Sequence, residues 1–152
     1  MKHLILILPV AALAGCTEPM MTGASDPGTV PSGAVITSTA PLPPSNASSV
    51  EDFDTTTDEQ RQAAVAAPAS GARELGTTIA SLGSPTEPGI WMKTPLVSAV
   101  TEGRVEYNGK SVNVELRPSG GAAGSGSQIS LAAMRLLEAP LTGLPEVTVF
   151  AR

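Results

Sequence analysis

Histidine and cysteine are almost missing from this 152-residue chain, which has one of each, His3 and Cys16. A Ser-His-Asp triad, a His/Cys zinc site and a disulfide framework all need residues that the sequence does not supply. Aromatic side chains make up only 3% of the chain: Phe53, Trp91, Tyr107 and Phe150. Any core must therefore be small and aliphatic. Nine basic residues face 14 acidic ones, for a net charge of −5. Without clustered Lys and Arg, the charge pattern gives no support for nucleic-acid binding. Glycine (15) and proline (14) are plentiful, which fits one small domain with irregular tails.

Lys2 and His3 precede the apolar run Leu4 to Leu13, interrupted by Pro9. The run is too short to cross a bilayer of roughly 30 Å as a helix and has the pattern of a secretory signal peptide. It ends Leu13-Ala14-Gly15-Cys16. This ending resembles the lipobox of bacterial lipoproteins, whereas the plainer alternative is an ordinary signal peptide with an incidental cysteine. The resemblance implies a signal peptide over 1–15 and acylation of the Cys16 thiol, with the membrane as partner through several buried acyl chains. Thr17 rather than aspartate follows. By the same resemblance this points to the bacterial outer membrane, with the domain in the periplasm. Cleavage would also remove the only histidine.

Three further regions follow. Residues 16–50, including "TVPSGAVITSTAPLPPSNASSV", are small, uncharged and aperiodic. They read as a disordered linker with a typical reach of roughly 30 Å. Residues 51–72 hold a short helix and a connection. Thr57 and Gln60 form a capping-box pattern, Asp58 and Glu59 suit the first turn, and Pro68 and Gly71 end the helix. The acidic residues from Glu51 to Glu59 lack calcium-loop spacing, so no metal site is expected there.

Residues 73–152 carry the strand signals. "ELGTTIASLG" and "GIWMKTPLVSA" are β-prone and flank the turn-forming "SPTEP". In "GRVEYNGKSVNVEL", Asn108-Gly109 predicts a two-residue hairpin setting Val105 opposite Val112 and Gly103 opposite Val114. "PSGGAAGSGS" reads as a loop without P-loop spacing, "SLAAMRLLEAP" as a helix stopped by Pro140, and "PEVTVF" as a closing strand.

"RVEYNGKSVNVELRPSGG", "ISLAAMRLLEAPLTGLPEVTV" and the preceding "MKTPLV" together resemble the double-psi β-barrel of rare lipoprotein A and its relatives. The resemblance implies a mainly β fold: a small double-psi-like barrel with one or two short helices, preceded by the disordered tether. The family's proposed catalytic aspartate falls on Pro118 or Ser119 here, and its helix-opening aspartate on Ser130. Neither proline nor serine donates a proton at neutral pH, so no catalytic residue is assigned. The mature chain also resembles small alphaproteobacterial lipoproteins often labelled D-galactarate dehydratase. That chemistry needs a base and usually a metal, and neither is legible in the residues present. The expectation is a non-catalytic envelope lipoprotein that binds peptidoglycan or an envelope protein and has no cofactor. A diverged glycan-cleaving enzyme is the alternative. Candidate contact residues are Trp91, Glu106 and Glu115. Trp91 fits either a sugar platform or a core anchor. Glu115 fits a solvated strand carboxylate near Arg104.

Overall fold

Asn108 and Gly109 have φ values of 48° and 77°, the positive pair that a type I′ turn requires. They join β3 (Thr101–Tyr107) to β4 (Lys110–Pro118) in the computed structural model, which describes residues 40–67 and 71–152. The expected signal peptide, Cys16, the tether as far as residue 39, and Pro68 lie outside those residues. The hairpin register pairs Val105 with Val112 and Gly103 with Val114. Turn chemistry and apolar alternation select the same pairing.

The hairpin belongs to a closed barrel with strand order β1-β5-β2-β4-β3-β6. The other strands are β1 (Arg73–Leu82), β2 (Trp91–Thr94), β5 (Ser127–Ile129) and β6 (Glu146–Ala151). Two pairs are parallel, β1 with β5 and β2 with β4, while the remaining four are antiparallel. Alternate residues fill the interior: Ala80, Met92, Val105, Val112, Val114, Leu116, Ile129, Val147 and Val149 are all buried. With so few aromatic residues, this core is aliphatic. Helix α3 (Leu131–Leu136) adds Met134, and Leu137 just beyond its last turn is buried with it. Fully burying side chains of this kind contributes about 1.5–3 kcal/mol each.

Four sequence expectations need correction. The described residues contain three helices, not one or two. Helix α1 (Val50–Phe53) forms because Ser49 and Asp52 make a reciprocal capping box. That box was hidden in a stretch whose composition reads as linker. The linker also ends before residue 50. Ala40 is buried, and the Thr55 hydroxyl donates to the Pro41 carbonyl at 2.5 Å. Strand β5 falls between the segments that read as loop and as helix, with only Ser127 in the loop, since its three residues carry too short a pattern to register. The strand in "GIWMKTPLVSA" covers only Trp91–Thr94 and ends at Pro95, which has no N–H to extend a ladder.

Helix α2 (Asp58–Val65) packs on the barrel. Thr57 caps it and exchanges hydrogen bonds with Gln60. Its Ala64 is fully buried within the main apolar cluster. Asn113 Nδ2, on the outer face of β4, donates to the carbonyls of Ala63 and Ala66 at 3.3 and 3.1 Å. These carbonyls belong to the last turn of α2, where intrahelical partners run out.

Candidate ligand-binding cleft

The registers of four neighbouring strands place one residue from each in a row across the sheet. Ser81 of β1 is opposite Gln128 of β5, Gln128 is opposite Lys93 of β2, and Lys93 is opposite Arg117 of β4. Strand alternation turns all four to the outside, because their neighbours Ala80, Met92, Leu116 and Ile129 fill the interior. Three of them, Ser81, Gln128 and Lys93, line a cleft of about 690 Å³, together with Ile79, Leu144 and the Pro118–Ser127 segment. This volume lies within the usual range for small-ligand sites.

The lining is part apolar and part polar. Ile79 and Leu144 are 46% and 68% exposed. The polar part of the lining includes Ser119, Ser125, Gln128 and Lys93. Ser119 Oγ accepts from Gly121 N at 3.3 Å, and Ser119 N donates to Thr94 O at 3.1 Å, which fixes the start of the glycine-rich wall. Beneath the cleft, Ser127 Oγ bonds Thr94 Oγ1 at 2.9 Å and Thr78 Oγ1 at 3.0 Å. These hydroxyls satisfy one another in the interior.

No carboxylate lines this cleft. Glu115 is ion-paired with Arg117 Nε, and Arg117 also contacts Glu87 at 2.6 Å. Glu115 is thus half-buried and ion-paired, not solvated beside Arg104 as its alternation suggested. Arg104 instead pairs with Glu106 at 2.9 Å and stacks on Phe150. The reason is register: Glu102 is directly opposite Glu115. Like charges so placed are unfavourable unless each has its own counter-ion, and Glu102 finds Arg152 at 3.3 Å.

Trp91 is fully buried, so of its two readings the structure gives the anchor, not the sugar platform. It lies outside the barrel interior, beneath the segment Gly83–Gly89. An ideal Cβ on Gly83 would approach Trp91 Cη2 to 2.5 Å, so only glycine permits this closeness. Trp91 Nε1 donates to the Glu87 carbonyl at 3.3 Å. Lys93 Nζ and the Arg117 guanidinium lie 4.8 and 5.4 Å from the ring centroid, within cation–π range. The sequence candidates therefore split. Trp91 and Glu115 are neighbours beside the cleft, whereas Glu106 lies near the turn of the β3–β4 hairpin, opposite Ser111. None of the three lines the cleft.

Pro118 and Ser119, at the position of the family aspartate, do line it. Ser130 is a buried cap whose Oγ accepts from Trp91 N at 3.1 Å and from Ala133 N at 3.3 Å, joining β2 to α3. Ser81 and Gln128 escaped sequence reading. Only recognition of "SQI" as a strand between Gly126 and Ser130 would have pointed to Gln128. Among the described residues, no group of three His, Cys, Asp or Glu side chains is placed to hold a metal ion.

No family model, curated protein or solved structure matches the chain, so both family resemblances rest on the quoted residues.

Proposed function

We propose that this protein is a non-catalytic envelope lipoprotein that binds peptidoglycan in the cleft beside the Pro118–Ser127 segment. The observation that carries the proposal is the composition of the cleft lining: serines, a glutamine and one lysine together with Ile79 and Leu144, with no carboxylate among them. A sugar ring has polar edges and apolar faces, and both find partners there. General-acid cleavage would need a carboxyl group within hydrogen-bond reach of the ligand, and Glu115 is instead ion-paired with Arg117. The two parallel pairs crossing an otherwise antiparallel barrel support the double-psi reading and the likeness to rare lipoprotein A. The Leu13-Ala14-Gly15-Cys16 motif supports acylation at Cys16 and anchoring at the outer membrane.

The test is co-sedimentation of the full-length chain in detergent with purified peptidoglycan sacculi. Retention is expected, with no soluble fragments released from denuded glycan strands. Gln128→Ala should weaken retention without shifting the melting temperature. Absence of retention, together with crosslinking to one envelope protein, would replace the glycan by a protein partner. Fragment release abolished by Glu115→Gln would overturn the non-catalytic reading.

A further inference from the structure

The charges beside the cleft form a line, not a closed cluster. Glu115 touches Arg117, Arg117 touches Glu87 at 2.6 Å, and Glu87 touches Lys93 at 2.6 Å. The two inner groups, Arg117 and Glu87, each have two partners of opposite sign. The two outer groups, Glu115 and Lys93, have one each. Lys93 is the outer group that lines the cleft, and it is the only charged residue among the cleft-lining residues. An ammonium offers three donors, and among the described residues Lys93 ion-pairs with Glu87 alone. Gln128 is its cross-strand neighbour and adds a neutral amide donor on the same outer face of the sheet.

From this geometry we infer that the cleft selects ligands by a carboxylate, seated on Lys93 Nζ with the Gln128 amide beside it. Binding gives Lys93 the second anionic partner that its inner counterpart Arg117 already has. Glu87 need not move, because Arg117 continues to hold its other oxygen. One formal positive charge with a neutral amide matches a singly charged carboxylate better than a doubly charged phosphate. No acidic residue lines the cleft, and the charge of Glu87 beside Lys93 is offset by Arg117. The inference rests on the peptidoglycan reading above and refines it. The glycan is recognised through its acid groups, with the hydroxyl wall contacting the rest.

The test is equilibrium titration of the full-length chain with soluble glycan fragments from purified sacculi, either native or methyl-esterified at their carboxyl groups. Native fragments are expected to bind about tenfold or more tightly than esterified ones, the size of one charge-assisted hydrogen bond. Lys93→Met should bring native binding down to the esterified level, whereas Lys93→Arg should keep the preference. Equal binding of both fragments by the wild type, or an undiminished preference in Lys93→Met, overturns the inference and leaves the cleft reading standing. Binding of neither fragment overturns both. Tighter binding of an acidic peptide than of native glycan would overturn the peptidoglycan reading, because the carboxylate preference would then serve another ligand. The wild-type comparison decides even where a variant fails to fold.

Discussion

Asn113 and Arg117 occupy the same outer face of β4, four residues apart, with opposite fates. Asn113 is 3% exposed, sealed beneath α2 and bonded to two helix carbonyls. Arg117 stands at the edge of an open cleft, shared between two carboxylates and the face of Trp91. One end of the strand is covered by the chain itself, and the other is left open. The covered end uses fixed geometry: a small buried alanine, a cap and an amide whose Oδ1 has no partner. The open end uses charges and hydroxyls, which still have bonding capacity for a ligand. Polarity alone does not separate a structural side chain from a binding one. What separates them is whether this chain covers the side chain or leaves it open to a ligand.

The sharpest way to break the covered end is Asn113→Asp. The new carboxylate would face the Ala63 and Ala66 carbonyls with no donor at either. An uncompensated buried charge costs about 3–5 kcal/mol. Chemical denaturation should show a loss of that order, with amide exchange rising first in α2.

Gly83→Ala tests the cover over Trp91. Its Cβ would overlap the indole, whose ring cannot fold away as a flexible side chain would, and overpacking of this kind costs about 1–3 kcal/mol. Trp91 is the only tryptophan, so its emission should shift to the red and become accessible to acrylamide. An unshifted, unquenched spectrum with full stability would show that the segment over Trp91 yields easily.

The smallest effect belongs to Asp52, at the edge of the covered region. Backbone N–H groups of Ser48 and Ser49, together with the Ser49 hydroxyl, hold its carboxyl below the usual carboxylate range. A lowered folded value means stabilisation that is present above the ordinary carboxylate range and fades as pH falls through the lowered one. Asp52→Asn should flatten a slight acid-side fraying of α1, visible in amide chemical shifts, and leave the melting temperature at pH 7 nearly unchanged.

How much of this was legible depended on whether a signal was local. The hairpin was readable because turn and strands adjoin in sequence. The helix at Leu131 was readable from its spacing and Pro140. The two parallel pairs were not, since nothing near Trp91–Thr94 indicates that Glu115–Pro118 runs beside it. The cleft residues Ser81, Lys93 and Gln128 come from three strands far apart in sequence, and only their registers bring them together. The burial of Asn113 was not legible either, because alternation gives only its outward face and not the helix that lies upon it. Glu115 misled because alternation gives a side chain's face but not its counter-ion.

The strand order also governs how this barrel comes into being. Only β3 and β4 are neighbours both in sequence and in space. β1 needs β5 on one side and β6 on the other, so the first strand waits for the last. Folding rate falls as contacts become more distant in sequence. The hairpin can therefore form early, but the barrel closes only after β6 is available, and a partly synthesised chain remains open.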